Sequence, residues 1–184
     1  MRDVDIRETL LRDLRREFRG DKIVNEMGLC LGATRVDVAV INGSLHGYEI
    51  KSDRDTLVRL PAQVALYSKV LDFATIVCGP RYVDKIEALV PDWWGILEAG
   101  GSGRKAALTW RRERSRNPDC DALAIAQLLW RDEAANALME RGEKVRSRET
   151  RWNLWDRLAV WPIDELQSCV RMQLKARPQW SIGG

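Results

Sequence analysis

The feature that most constrains the fold is an alternating stretch, RVDVAVINGSLHGYEIKSD, which occupies Arg35–Asp53. Valines recur at every second position of its first half, as expected of a half-buried β-strand. Asn42–Ser44 is a turn signal, and a second strand-like run follows it. The stretch therefore predicts a β-hairpin, although it also carries Asp37, Glu49 and Lys51, which a sheet interior rarely accommodates.

The loop length decides whether these three charged residues share one face of the hairpin. Glu49 and Lys51 are two residues apart on one strand, so both side chains point to the same side. If Asp37 lies opposite Glu49, the loop consists of the three residues Asn42–Ser44. A two-residue loop would turn Asp37 to the other face unless a β-bulge intervened.

Two acids and a lysine on one face would suit the hydrolysis of a phosphodiester. Hard divalent cations take carboxylate oxygens as ligands and can lie beside a scissile phosphate. An ammonium group nearby can orient the attacking water and stabilise the charge that develops on the phosphate. The alternative is that Asp37, Glu49 and Lys51 are edge-strand charges, which discourage aggregation between sheets.

The remainder of residues 1–117 alternates between helical and strand-like patterns. An amphipathic pattern predicts a helix that starts at the capping-box spacing of Asp5–Glu8 and stops at Gly20. Pro61 is expected to open a helix over about Ala62–Leu71, with Asp55 as its cap. A strand, a helix and a second hairpin then follow, in ATIVCG, RYVDKIEALV and WWGILEAGGSGRKAALTWRRER. This order of elements indicates an α/β fold with a mixed sheet.

From Asp119 onward the pattern is helical throughout. One helix is expected in DCDALAIAQLLWRDEAANALMER, ending at Gly142, and two more in SRETRWNLWDRLA and PIDELQSCVRMQLKA. We therefore divide the chain into an α/β core, residues 1–117, and a helical extension, residues 118–184, that packs on it. All eight tryptophans lie at or after Trp93. Most are expected to pack in the core, but the same helical end could hold a homodimer or a protein partner.

Composition indicates a globular protein without a strong overall electrostatic footprint, because the net charge is only +3. No apolar run approaches the roughly 20 residues of a membrane span, and acids and arginines interrupt the N-terminus throughout. We therefore expect a cytoplasmic protein that does not enter a membrane. The four cysteines lie far apart without a CxxC pair, which argues against a zinc site and predicts reduced thiols.

A cluster of basic residues around the second hairpin is a candidate nucleic-acid-binding surface. Only one acid, Glu113, interrupts it. Such a cluster could follow a phosphate backbone, and a solvated surface loop is the alternative. Its members are Arg104, Lys105, Arg111, Arg112, Arg114 and Arg116.

Gln63 and Tyr67 lie four residues apart downstream of the hairpin, so they share one helix face. Together with Asp37 and the tripeptide Glu49–Lys51, this pattern resembles the PD-(D/E)xK nuclease superfamily. The Q-x-x-x-Y spacing is similar to that of its RecB-type branch. The run GYEIKSDRDTLVRLPAQVALY also resembles an uncharacterised bacterial and phage family within that superfamily.

The resemblance implies a restriction-endonuclease-like core and a role for each matching residue. Asp37 and Glu49 would bind Mg²⁺ or Mn²⁺, helped by the carbonyl group of Ile50. Lys51 would position or activate water. The glutamine and tyrosine of the Q-x-x-x-Y motif would orient the site or the DNA.

Members of the superfamily often add an acid from an upstream helix. Glu26 is the candidate for this acid here, and Glu8 is the alternative. The sequence departs from the eponymous motif at Val36, which stands where the motif has a proline.

The residues and the resemblance together predict a metal-dependent deoxyribonuclease that acts on single- or double-stranded DNA. Repair, recombination and conflict between phage and host are the expected settings. Two alternatives are a nucleic-acid-binding protein that has lost turnover and an adaptor that recruits a partner through its tryptophan-rich helices.

Overall fold

The computed structural model describes residues 2–101 and 106–178, and one six-stranded sheet runs through it in the order of the sequence. The second strand pairs antiparallel with the first and third, and the fifth with the sixth, whereas the third, fourth and fifth run parallel. The predicted α/β fold with a mixed sheet is therefore confirmed. The strands are β1 (Lys22–Leu29), β2 (Thr34–Ile41), β3 (Leu45–Lys51), β4 (Phe73–Cys78), β5 (Gly95–Gly100) and β6 (Ala107–Arg112).

In the described part of the chain seven α-helices flank the sheet, and their C-terminal members form the predicted helical part. The first helix covers one face of the sheet, where it packs on β2 and β3 in a cluster that we call the α1 cluster. All the other helices share a larger cluster with the opposite face. The helices are α1 (Asp3–Glu17), α2 (Leu60–Tyr67), α3 (Val83–Glu87), α4 (Ala122–Ala126), α5 (Arg131–Glu140), α6 (Arg151–Ala159) and α7 (Ile163–Ala176), with 3-10 turns at Cys30–Gly32 and Pro80–Tyr82.

The hairpin of β2 and β3 has the register expected for a three-residue loop. Ile41 pairs with Leu45, so Asn42–Ser44 forms the loop. Continuing this register beyond the last paired residues places Asp37 opposite Glu49. The predicted hairpin and its loop length are confirmed.

Strand β1 is not predicted by the sequence pattern, and an irregularity in its middle explains why. Glu26 has a left-handed backbone, with a φ of 54°, and lies opposite Asp37 at a point where β1 and β2 do not pair. The register resumes unchanged on both sides. Val36 packs in the larger cluster whereas Val38 packs in the α1 cluster, although a regular strand would place both on one face. The two acids therefore lie at a break in the sheet rather than in either core.

The predicted caps of the first two helices are both wrong. α1 begins after Arg2 without a side-chain cap, and Asp5 instead pairs with Arg2 from inside the first turn. α2 has Pro61 in its first turn as predicted, but Arg59 occupies its N-cap position. Asp55 instead accepts hydrogen bonds from the backbone N–H and the hydroxyl group of Ser52.

The long helix predicted up to Gly142 is in fact two helices, α4 and α5, separated by a break at 127–130. Glu133 accepts a hydrogen bond from the backbone N–H of Trp130 and so starts α5 there. The indole N–H of Trp155 donates to the free carbonyl group of Leu129 at the break. A tertiary contact therefore stabilises an interruption that the local pattern does not reveal.

The C-terminal helices pack directly on the sheet through the larger cluster, which is continuous from β1 to α7. Trp94 and Trp155 are buried in it, whereas Trp130 and Trp152 are about half exposed. The division into residues 1–117 and 118–184 stays a prediction. Among the described residues, no helix combines the length and the apolar character that crossing a membrane requires.

The buried ring of His46 is expected to make the folded state less stable at low pH. Its ring is buried between Phe18 and Phe73, at centroid distances of 5.4 and 4.7 Å, and burial lowers its pKa to about 4. The unfolded chain has a histidine pKa of about 6.5, so it takes up a proton first as the pH falls, and the folded state loses stability below that pH.

We expect the wild type to lose about 2–3 kcal/mol more stability than a His46→Leu variant between roughly pH 8 and pH 4.5. Urea unfolding of both proteins across this range measures the difference. Parallel curves for the two proteins would contradict a buried, neutral His46.

Candidate active site

A closed network of hydrogen bonds joins the end of β3 to one face of α2. Lys51 Nζ lies 2.7 Å from Glu49 Oε1 and 3.0 Å from Gln63 Oε1. Gln63 Nε2 donates to the same Glu49 oxygen at 2.6 Å, and the Tyr67 hydroxyl group donates to Glu49 Oε2 at 2.6 Å. The structure therefore brings together the four residues that the two sequence motifs single out.

The network is buried, and this gives its charges unusual properties. Glu49 and Lys51 are only 4% and 6% exposed. Burial raises the pKa of Glu49, and the negative charge of Asp37 raises it further, while Lys51 opposes both effects. Burial, and then the charge of Glu49, raises the pKa of Tyr67, so the tyrosine remains a neutral donor. The carboxylate of Glu49 is thus fixed by three donors in a poorly solvated position.

Asp37 lies beside this network, at the break between β1 and β2. Its Oδ2 accepts the backbone N–H of Ile50 at 2.7 Å, and its Oδ1 accepts a hydrogen bond from Arg7 at 2.8 Å. Arg7 projects from α1 and also lies 3.1 Å from Glu26 Oε1 and 3.6 Å from Asp3 Oδ2. One guanidinium group therefore bridges three carboxylates.

Glu26, predicted as an acid from an upstream helix, instead comes from strand β1, where it lies next to Asp37 through their shared contact with Arg7. Its left-handed backbone is what turns it out of the regular strand pattern. The alternative, Glu8, is an exposed residue of α1 and does not line the same pocket.

The network and Asp37 open into a pocket of about 430 Å³. Carboxylates outnumber basic side chains in its lining, even when Arg7 is counted with the bases. The pocket would therefore favour a bound cation. Its acids are Asp3, Glu26, Asp37, Glu49 and Asp55, and its bases are Arg35, Lys51 and Arg59.

The free lone pairs of the two central acids are suited to a hard cation. A carboxylate oxygen offers about two lone-pair directions. Glu49 Oε1 uses both, for Lys51 and Gln63, whereas Oε2 uses one, for Tyr67. Asp37 uses one direction on each oxygen. Both acids therefore keep free oxygen lone pairs, which are the ligands that Mg²⁺ and Mn²⁺ prefer.

The acids of the pocket are not arranged as a complete set of metal ligands in the part of the chain that the structure describes. Within residues 2–101 and 106–178, no three His, Cys, Asp or Glu side chains form a cluster that could hold a metal ion. The guanidinium group of Arg7 supplies the positive charge between Glu26 and Asp37. Full access of a cation to Asp37 would therefore require Arg7 to move.

The basic residues of the second hairpin that the structure describes lie outside the pocket and have partners within the protein. Arg111 pairs with Glu98, and Arg114 pairs with Glu17. Arg112 donates to the carbonyl groups of residues 91 and 94. None of these three arginines lines the pocket, and Arg104 and Lys105 lie outside the described residues. The role of this set in binding nucleic acid stays a prediction.

Sequence reasoning missed four of the charged side chains at the site: Asp3, Arg7, Arg35 and Arg59. Two of them have a recognisable signal. Arg59 precedes Gln63 by one helical turn, and Arg35 precedes Asp37 by two strand residues. Arg7 has no such signal because it is one of several arginines spread around α1.

Comparison with solved structures finds two similar folds. A protein of unknown function from Silicibacter pomeroyi has a TM-score of 0.51 and 19% identity, covering 81% of this chain and 98% of that protein. This likeness shows the fold alone. The structure of Pyrococcus furiosus SfsA in complex with Ca²⁺ has a TM-score of 0.34 and 17% identity, covering 59% of this chain and 60% of SfsA.

Comparison of sequences identifies the family. Protein cII of Enterobacteria phage P4 is 38% identical over 76 residues, which make up 41% of this chain and 29% of the phage protein. The matched region thus spans less than a third of that relative. The family model described as bacteriophage P4 protein cII matches residues 2–180, nearly the whole chain. The chain therefore belongs to the bacteriophage P4 protein cII family.

Proposed function

We propose that this protein is a metal-dependent DNA nuclease of the PD-(D/E)xK type, which hydrolyses phosphodiester bonds with Mg²⁺ or Mn²⁺. The observation that carries the proposal is the buried network in which Gln63 and Tyr67 hold Glu49 and Lys51 beside Asp37. Four side chains from two sequence motifs meet there, and a pocket lined by acids opens above them. Charges that served only an exposed sheet edge would not be buried and linked in this way.

Each residue has a distinct task in this proposal. Asp37 and Glu49 would hold the cation, with Glu26 and the carbonyl group of Ile50 as further ligands. When bound, the cation would supply positive charge to the phosphate and acidify a water molecule. Lys51 would direct its ammonium group at the attacking water or at the developing charge on the phosphate. Gln63 and Tyr67 would keep Glu49 in place, because both donate to its carboxylate.

Incubation of the purified protein with plasmid and with linear single-stranded DNA tests the proposal. We expect cleavage with Mg²⁺ or Mn²⁺, none with EDTA, and at least a hundredfold slower cleavage by Asp37→Asn. Asp13→Asn is the matched control, since Asp13 pairs with Arg12 on α1 and does not line the pocket. Equal rates for Asp37→Asn and wild type would contradict the proposed site.

A second candidate is a nucleic-acid-binding protein without turnover. The observation that favours it is Arg7, whose guanidinium group already neutralises Asp37 and Glu26. This candidate predicts DNA binding that persists in EDTA and no cleavage with Mg²⁺, with Mn²⁺ or with EDTA. Trp130 and Trp152 are half exposed and could contact another chain. An adaptor role and a homodimer are therefore further proposals.

The contacts of Arg7 also predict how the site responds to metal. We expect Arg7→Gln to bind Mn²⁺ at least tenfold more tightly than wild type, because the change removes a repelling charge and frees an oxygen of Asp37. Titration calorimetry without DNA measures the affinity. Arg12→Gln removes the same charge from α1, but its ion pair with Asp13 lies outside the pocket, so its affinity should not change. Weaker Mn²⁺ binding by Arg7→Gln would mean that Arg7 organises the ligands instead.

A further inference from the structure

Two arginines that line the pocket differ from Arg7, because their side chains have no partner among the described residues. Arg35 and Arg59 both line the pocket, and both are exposed. Within residues 2–101 and 106–178, neither side chain makes a hydrogen bond, an ion pair or a ring contact. Arg7, by contrast, is engaged with Asp37, Glu26 and Asp3. A ligand could therefore use Arg35 and Arg59 without breaking any existing contact.

The fold brings these two arginines to the pocket from different elements, Arg35 from β2 and Arg59 from the start of α2. The Tyr67 hydroxyl oxygen, which donates its proton to Glu49, also lies 2.5 Å from the carbonyl oxygen of Arg35, so the backbone of Arg35 lies beside the tip of the Tyr67 side chain. Arg59 is the N-cap of the same helix. Eight residues of helix between Arg59 and Tyr67 span about 12 Å. Gln63, which holds Glu49 and Lys51, lies halfway between them.

The surroundings of Arg59 also favour an anion. No side chain caps the N-terminus of α2, and Arg59, Ala62 and Gln63 from its first turns line the pocket. The helix dipole adds partial positive charge at this end. A guanidinium group can bind a phosphate through two parallel hydrogen bonds, so each arginine is suited to one phosphate group.

We infer that Arg35 and Arg59 hold the phosphates on either side of the one placed at Asp37 and Glu49. The substrate is then a nucleic-acid strand that continues past the site in both directions, and the bond attacked is an internal one. A mononucleotide or a strand that ends at the site would engage only one of the two arginines. The inference rests on the proposed function for the central phosphate, but the two arginine contacts require no turnover.

Equilibrium binding of a fluorescent single-stranded oligonucleotide in EDTA, over a range of salt concentrations, tests the two contacts. Each lost phosphate contact should reduce the magnitude of the negative slope of log affinity against log salt by about 0.7, or by about 0.9 for a duplex. We expect this decrease for Arg35→Gln and for Arg59→Gln, and an additive decrease in the double variant. Arg148→Gln is the control, because Arg148 is also exposed, has no partner for its side chain among the described residues and does not line the pocket.

Unchanged slopes in the pocket variants, or no binding by wild type, would overturn the inference even if the protein cleaves DNA. If the pocket variants show salt slopes of smaller magnitude but the wild type cleaves no DNA with Mg²⁺ or Mn²⁺, the two phosphate contacts are supported and the nuclease activity is refuted. Circular single-stranded DNA tests whether the strand continues past the site on both sides, because a circle has no ends. We expect wild type to cut it with Mn²⁺, and cleavage restricted to linear DNA would overturn the two-sided arrangement.

Discussion

Replacing Lys51 with alanine is expected to slow metal-dependent DNA cleavage by about 10²–10⁴-fold while DNA binding survives. The ammonium group of Lys51 is buried and held by Glu49 and Gln63, so it points at one place in the pocket. A group that acts mainly on charge developing in the transition state affects turnover more than affinity. Cleavage rates under saturating DNA, together with binding in EDTA, separate the two effects.

The buried ion pair makes a stability control necessary. Lys51→Ala leaves the charge of Glu49 buried without its partner, which costs about 3–5 kcal/mol. The double change of Lys51→Met and Glu49→Gln removes both charges and should restore much of the melting temperature, but not the activity. Full activity in Lys51→Ala at a temperature where it is folded would show that Lys51 only neutralises Glu49.

The second large effect is expected on stability, from Asp72→Ala. Asp72 is 2% exposed and accepts hydrogen bonds from Arg171 on α7, at 2.9 Å for Nε, and from the backbone N–H of Leu45 at 2.6 Å. Removing the carboxylate leaves the nearly buried Arg171 without its counter-ion. We expect a loss of about 3–5 kcal/mol, which lowers the melting temperature by roughly 6–20 °C.

An exposed ion pair to the same helix provides a matched control. Asp21→Ala breaks the ion pair with Lys175, whose side chain is 46% exposed, and should cost no more than about 1 kcal/mol. Thermal unfolding followed by circular dichroism compares the two variants. Similar melting temperatures for Asp72→Ala and Asp21→Ala would contradict a structural role for the buried pair.

The hairpin and the four residues of the network could be predicted because the information is local. A turn at Asn42–Ser44 fixes the register of Asp37 against Glu49, and strand and helix periods place Lys51 and Gln63. These rules need no knowledge of the rest of the chain.

Other features depend on contacts that no local pattern reveals. β1 loses its alternation at Glu26, where the left-handed backbone moves the following residues to the other face. Arg7 is one of many arginines on α1, and only the packed structure selects it for Asp37. The break between α4 and α5 depends on the indole of Trp155, 26 residues from its acceptor on Leu129.

The contact between Asp72 and Arg171 has a consequence for how the protein is made, because the two residues lie 99 positions apart. The sheet leaves the ribosome well before α7 does. Until α7 arrives, the buried acid lacks Arg171 and has only the more distant Arg116, at 3.5 Å, and the apolar side chains that α7 covers with Leu166, Val170 and Leu174 face water. The sheet therefore completes its core only after α7 has been made, and a chain paused before α7 presents uncovered apolar strands to chaperones and proteases.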